Sequence, residues 1–372
     1  MTIRQVICHR AVLAFAGGIA LTVIAAACSS SSGAGEGPTS AANTGGSSPT
    51  QLRFNSDGTP NLSGVTLQLG NSAGSAVASD TVTWLVPQIL KRWGADTSYT
   101  LGQFNTNDIA ALAGRLTSNA GEMFGELDAG LTVFGPNQAH VDYVLVAAAP
   151  ISSVKQLQGQ PFAATSRTGP DYGLLEDLLQ NQHWGSNSVH IIFTNNAGAN
   201  VSELIQGAVK ASWVHSSDLL TLKASGHKFN VLSLAAVQAP YLADSYMAAA
   251  PPWLKANPAY AEAADLAWIE AANTFNNHSS AWEADAQDYT HAAESASSIT
   301  AAYQALKTAD PYSLANQAEF TPKVVAQNYA IDKAAGNIKA AGVRSESQYA
   351  AFGPWSKAWA YYQAHQSLFS GQ

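Results

Sequence analysis

Between Val65 and His215 the chain alternates short apolar runs of strand length with longer stretches whose apolar residues recur at helical spacing, and no other feature constrains its fold as tightly. Val65–Leu69 reads as a strand closed by the small-residue turn Gly70–Ser75, and a helix is predicted from Val82 to Trp93. Ile109–Gly114 reads as a short helix stopped by its glycine, and Val141–Ala147 as a strongly apolar run bounded by Pro150. The theme then repeats. Phe162–Thr165 is a strand, Leu174, Leu175, Leu178 and Leu179 form a helical stripe, and Val189–Phe193 is another strand. Val201, Leu204, Ile205 and Ala208 form a further stripe ahead of the brief strand Ser212–His215. Strands separated by helices predict an α/β protein with parallel sheets covered by helices on both faces.

After Ser245 the pattern turns mostly helical. Asn257–Pro258 is a good helix start, and Ala264, Trp268, Ala271 and Phe275 then share one face. Trp355, Trp359 and Tyr362 make an aromatic stripe on a last helix, read as core packing against a neighbouring lobe. At the other end, residues 29–61 are dominated by Ser, Gly, Ala, Asn, Thr and Pro. Such a segment buries too little apolar surface to order itself, so residues 28–62 are expected to be a flexible tether.

The first 27 residues bear on the compartment. Arg4, His9 and Arg10 form a basic head, Ala11–Ala27 carries no charge, and Ala25-Ala26-Ala27 precedes Cys28. These are the parts of a secretory signal, residues 1–27. A cysteine after three small residues resembles the lipobox of bacterial lipoproteins, although Ala25 stands where that group usually has Leu. The resemblance implies acylation (palmitate or a similar chain) of Cys28 and a lipid anchor in the cell membrane, on its extracytoplasmic face. The only other cysteine is Cys8, inside the signal, so neither a disulfide nor a Cys/His metal cluster is available to the mature chain. Acidic residues outnumber basic ones, 26 to 18, with no basic run, which argues against nucleic-acid binding.

Several segments resemble the periplasmic solute-binding proteins of ABC transporters for nitrate, sulfonates and taurine. "PISSVKQLQGQPFAATSRTGPDYGLLEDLL" (Pro150–Leu179) is similar to that family's Pro-Ile-x-Ser-x-x-Asp-Leu-Lys-Gly-Lys stretch with the strand, hydroxyl-rich loop and helix that follow it. "VSELIQGAVKASWVHSSDLLTLKASGHKFNVL" (Val201–Leu232) resembles its Leu-x-x-Gly-x-Val-Asp-Ala segment, and "APPWLKANPAYAEAADLAWIEA" (Ala250–Ala271) its Phe-Leu-x-x-Asn-Pro helix. "GNIKAAGV", "DIAALAGRL" and "DYVLVA" extend the likeness over roughly residues 63–345. Lys210, where the family often has Asp, and Thr117–Gly121, in place of its Val-Asp-hydrophobic-Gly phrase, depart from it. The resemblance implies the two-lobed type 2 periplasmic-binding-protein fold: two doubly wound sheets joined by a two-strand hinge. Lobe I would comprise residues 63–147 and 247–372, and lobe II residues 148–246. It further implies a monomer without metal or cofactor that closes on a small polar or anionic solute and hands it to an ABC permease and its ATPase.

In open α/β sheets ligands bind where strands end and helices begin, because free backbone N–H groups and the helix dipole favour polar oxygens there. That rule selects Ser72 and Ser75 after the first strand, then Asn119 and Gly121, and in lobe II the loop Ser166, Arg167 and Thr168. The family uses this last loop's hydroxyls, and Arg167 suits bidentate anion pairing, although a helix cap with an exposed Arg is the competing reading. Asn195 follows the next strand, and Trp213 and His215 end the one after it. Trp213 reads equally as a stacking platform or as core, and Tyr246, at the expected second crossover, equally as cleft or packing. The nine histidines show no His-x-x-His or His-x-x-x-His pair.

Two other classes compete. "GNSAG" (Gly70–Gly74) fits the Gly-x-Ser-x-Gly nucleophile elbow, which would make Ser72 a hydrolase nucleophile, but it follows the first strand of the body instead of a later one. A thiamine-pyrimidine synthase of the same wider fold depends on a cysteine-rich motif that this chain lacks. A ligand-sensing lipoprotein without a transport role would use the same closure.

Overall fold

Ten strands gather into two five-stranded sheets in the computed structural model. It describes residues 51–71, 76–101, 115–118, 130–167, 169–194, 196–315, 317, 320–334, 338 and 342–370. The first sheet holds β1 (Thr66–Asn71), β2 (Asp96–Leu101), β3 (Arg115–Ser118), β4 (Thr132–Gln138) and β10 (Ser245–Ala249), in the order β2-β1-β3-β10-β4. The second holds β5 (Tyr143–Ala148), β6 (Pro161–Ala164), β7 (His190–Phe193), β8 (Ala211–His215) and β9 (Phe229–Leu234), in the order β7-β6-β8-β5-β9.

The sheets are mixed, which corrects the all-parallel expectation. β1 runs parallel to β2 and β3, and β6 runs parallel to β7 and β8. In each sheet, however, the strand that enters straight from the other sheet lies antiparallel to both neighbours: β10 between β3 and β4, and β5 between β8 and β9. A strand arriving by crossover from the other sheet meets its new sheet from the opposite end.

The chain changes sheets between Gln138 and Tyr143 and returns between Leu234 and Ser245. The switch points expected at residues 147 and 246 fall inside β5 and β10 instead, because the apolar run Val141–Ala147 is already a strand of the second sheet. The two passages run side by side, with Asp244 N donating to Gln138 O at 3.0 Å and Val141 N to Leu242 O at 3.1 Å. Both sheets belong to one compact unit.

Burial explains the strand sequences. Along β5, Tyr143, Leu145 and Ala147 face a core with the leucine stripe of the Pro170–Asn181 helix, while Val144 and Val146 face Val201 and Leu204 of the Ala197–Gln206 helix. Covered on both faces, such a strand reads as one unbroken apolar run. The first sheet rests on the Pro258–Asn277 helix, whose Trp268 indole donates to Asn137 O at 2.9 Å. Trp355 meets Trp268 edge to face at 5.9 Å, so the aromatic stripe packs into the first sheet's own core and not against a neighbouring lobe. The expected helix at Ile109–Gly114, residues 28–50 of the expected tether and with them Cys28 lie outside the described residues. Residues 51–62 of that tether are instead packed on the body, with Leu62 0% exposed, its N–H donating to Trp93 O at 2.9 Å, and Phe54 stacked on Tyr361 at 4.1 Å.

Candidate functional site

The carboxyl ends of β1, β6 and β8 and the two passages between the sheets carry a concentration of polar side chains that the apolar cores lack. Its best-defined part is the loop after β6. Asp171, 0% exposed at the start of the Pro170–Asn181 helix, accepts hydrogen bonds from Thr165 N at 2.6 Å, Thr165 Oγ1 at 2.7 Å and Asn200 Nδ2 at 3.0 Å. A side chain at Gly169 would overlap Thr165 Oγ1 and the Asp171 carboxylate, so only glycine fits there. Asp171 thus braces the Ser166–Arg167 loop against the sheet, a role invisible in a sequence that shows only an acid after a proline. Arg167 is exposed; its guanidinium donates to Tyr172 Oη at 3.3 Å and lies over the Phe193 ring at 5.3 Å. It is therefore held at the loop's edge by aromatic contacts.

At the end of β8, His215 joins the passage between the sheets. Its Nδ1 lies 2.7 Å from Asp142 Oδ1, its ring stands 4.3 Å from that of Tyr143, and its backbone N donates to Asp218 Oδ2 at 3.1 Å. Asp142 is 7% exposed and also receives Ser216 Oγ at 3.4 Å. Burial pulls the His215 imidazolium down, but the Asp142 charge and hydrogen bond outweigh it and raise the pKa to about 9. Burial works against the Asp142 carboxylate too, and His215 and Ser216 more than compensate, holding it below the usual carboxylate range. The pair is an ion pair at neutral pH.

Two further carboxyls face this pair from the first sheet and the return passage. Burial, opposed by a hydrogen bond from Asn71 at 3.3 Å and reinforced by the Asp142 charge, pushes Asp80 up to about 7. Burial and then the Asp142 charge push Asp244 up to about 7 as well, with His215 opposing and Asp80 adding to the repulsion. Tyr312 ties the group together: its hydroxyl donates to Ser79 O and receives Gln138 Nε2 at 3.0 Å. No three of the described His, Cys, Asp or Glu side chains converge as metal ligands.

Of the residues singled out in the sequence, Ser166, Arg167 and His215 stand at these strand ends. Trp213 and Tyr246 do not offer their rings to a cleft: they are 0% and 1% exposed, Trp213 among the leucines of the second core and Tyr246 against Phe320 at 5.5 Å. Alternation along the strands turns both inward. Ser72, Ser75, Asn119, Gly121, Thr168 and Asn195 lie outside the described residues. Asp80, Asp142, Asp171 and Asp244 were missed, because they are single acids scattered through the sequence and only the crossing passages bring them together.

Residues 135–278 match the family model described as NMT1/THI5 like. No curated protein matches the chain. Among solved structures, a putative sulfonate ABC transporter periplasmic sulfonate-binding protein SsuA from Methylobacillus flagellatus KT is similar at a TM-score of 0.61 and 14% identity, covering 82% of this chain and 95% of that one. The ligand binding component of an ABC-type import system from Staphylococcus aureus gives 0.57 and 10%, covering 79% and 99%. The desulfurization enzyme DSZB gives 0.51 and 11%, covering 80% and 99%. The fold is that of the two-lobed periplasmic binding proteins.

Proposed function

We propose that the chain is an extracytoplasmic solute-binding lipoprotein, anchored through Cys28, that closes on a small polar or anionic solute of the sulfonate, nitrate or taurine kind and delivers it to the permease and ATPase of an ABC importer. The observation that carries this reading is the junction itself. Two sheets of matching topology are joined by two adjacent passages, and a buried polar group lies where their strand ends meet. Such a junction supports hinge closure, in which the solute adds contacts available only when the lobes meet. The likeness to sulfonate-binding and import components supports the same reading. On it, the first sheet belongs to lobe I and the second to lobe II, with the solute between Ser166, Arg167 and Thr168 on one side and Ser72 and Ser75 on the other. The chain then acts by binding and not by catalysis.

A thermal-shift screen against sulfonates, nitrate, taurine and amino-acid-like compounds tests the reading, followed by small-angle scattering with and without the best stabiliser. The expected result is a raised melting temperature together with a smaller radius of gyration. Stabilisation without compaction would remove hinge closure, and Arg167→Ala and Ser166→Ala variants of unchanged affinity would remove the site assignment. Replacing Cys28 with serine should release the protein from membranes; continued membrane association would sink the lipid anchor.

A further inference from the structure

Asn200 lies in the first turns of the Ala197–Gln206 helix, 0% exposed, at a position where asparagine is a poor helix former. Its side chain is used at both ends. Nδ2 donates to Asp171 Oδ2 at 3.0 Å, and Oδ1 accepts from Thr194 Oγ1 at 2.5 Å. A carboxylate accepts and a hydroxyl can donate, so these partners fix which way the amide points. An apolar residue of the same size would fill the space and make neither bond.

The two bonds reach the two loops that locate Arg167. On one side Asp171 holds Thr165, two residues before Arg167, through the Thr165 backbone N at 2.6 Å and its hydroxyl at 2.7 Å. On the other, Thr194 directly follows Phe193, whose ring centroid lies 5.3 Å from the Arg167 guanidinium. Thr194 N also donates to Ala164 O at 3.0 Å, which joins the ends of β6 and β7 at the backbone. Tyr172, whose hydroxyl receives the guanidinium at 3.3 Å, follows Asp171 in the chain and packs 5.7 Å from Phe193. The root of the arginine and the aromatic rings beside it thus depend on one buried amide. Arg167 itself is exposed and makes no ion pair among the described residues, so its charge is open to a solute.

We propose that Asn200 is a positioning residue for Arg167: it ties the loops after β6 and β7 into one rigid surface and so aims the guanidinium before the solute arrives. This rests on the solute-binding reading and adds to it how the second sheet's half of the site is made ready. A side chain that must be ordered on binding costs affinity, and one already held in place does not.

Isotope-labelled arginine in the whole chain tests the positioning without any ligand. The Arg167 side-chain N–H signal, identified by its loss in Arg167→Lys, should be displaced by the ring currents of Phe193 and Tyr172. It should move toward the position of a free arginine in Asn200→Ala and part of the way in Thr194→Val, which removes a single hydroxyl and serves alone if Asn200→Ala does not fold. Ser202→Ala, on the same helix, loses only a bond to Gly198 O and should leave the signal in place. A signal unmoved in the folded Asn200→Ala and Thr194→Val proteins would overturn the proposal. Calorimetry with nitrate, taurine and propane-1-sulfonate adds the functional arm. Whichever compound binds should bind about three- to tenfold more weakly to Asn200→Ala, or to Thr194→Val in its place, and the same change should cost nothing further in an Arg167→Ala background. Equal losses in both backgrounds would overturn the proposal, since Asn200 would then act without Arg167. Silence from these compounds and the wider thermal-shift screen would sink the solute reading, while the arginine signal still decides whether Asn200 holds Arg167.

Discussion

Replacing Asp265 with asparagine is expected to remove a pH dependence from the protein's folding stability. Asp265 sits in the middle of the Pro258–Asn277 helix, 0% exposed, with neither carboxyl oxygen bonded among the described residues. It presses on β4 so closely that a side chain at Gly135 would overlap it. Burial, with a smaller push from Glu262, raises its pKa well above the usual carboxylate range. The unfolded chain releases this proton above about pH 4, whereas the folded protein keeps it. Stability therefore falls as pH rises from about 4 to the folded-state pKa and is level beyond it. Within that window each pH unit shifts the unfolding equilibrium about tenfold, on the order of 1 kcal/mol. Asparagine has nearly the same shape and cannot titrate. Its own unbonded amide adds a constant on the order of 1–3 kcal/mol, which moves the curve without tilting it. Urea unfolding of both proteins at a series of pH values from about 4.5 to 7.5 gives the difference in stability, in which other titrating groups cancel. The natural protein should lose ground steadily against the variant as pH rises. A difference that stays constant across the range refutes the reasoning, since the buried carboxyl would then ionise as readily folded as unfolded.

Other outcomes follow from the same contacts. Gly135→Ala should destabilise by roughly 3 kcal/mol or more through overlap with Asp265, and combining it with Asp265→Ala should recover part of the loss in a double-mutant cycle. His215→Ala strips Asp142 of its cation. Because the folded-state pKa of His215 is raised to about 9, the stability the pair contributes should be fully present below about pH 6.5 and fade as pH rises through 9, which unfolding curves of wild type and variant across that range will show.

How far the sequence reaches depends on what each residue has to signal. Strands buried on both faces, such as β5 and β6, announce themselves as apolar runs, and the leucine stripe of Pro170–Asn181 announces its helix. β4 does not: Gly135 and Pro136 read as breakers, yet the strand is buried along its whole length, with Gly135 there for Asp265 and Pro136 opposite Tyr246 beside a register shift. β2 escapes notice because it is an edge strand, half exposed and made of polar residues. The hydroxyl loop after β6 is legible from the rule that ligands sit at strand ends. The acids at the junction are not, since Asp80, Asp142 and Asp244 share no spacing and meet only through tertiary structure. Aromatic residues on alternating strands were ambiguous for a different reason: whether Trp213 faces core or solute depends on register, which a sequence does not fix.

The position of β10 sets an order on how the molecule can assemble. All five strands of the second sheet come from one continuous stretch, Tyr143–Leu234, so that sheet can close on its own residues. The first sheet cannot. Until β10 arrives from beyond the whole of the second sheet, β3 and β4 present two unpaired edges, the kind of surface that recruits other chains. A fragment spanning 139–244 should therefore fold alone, whereas a chain cut after Leu234 should aggregate through those open edges, and the interval before β10 docks is when the intact protein is most exposed to the same fate.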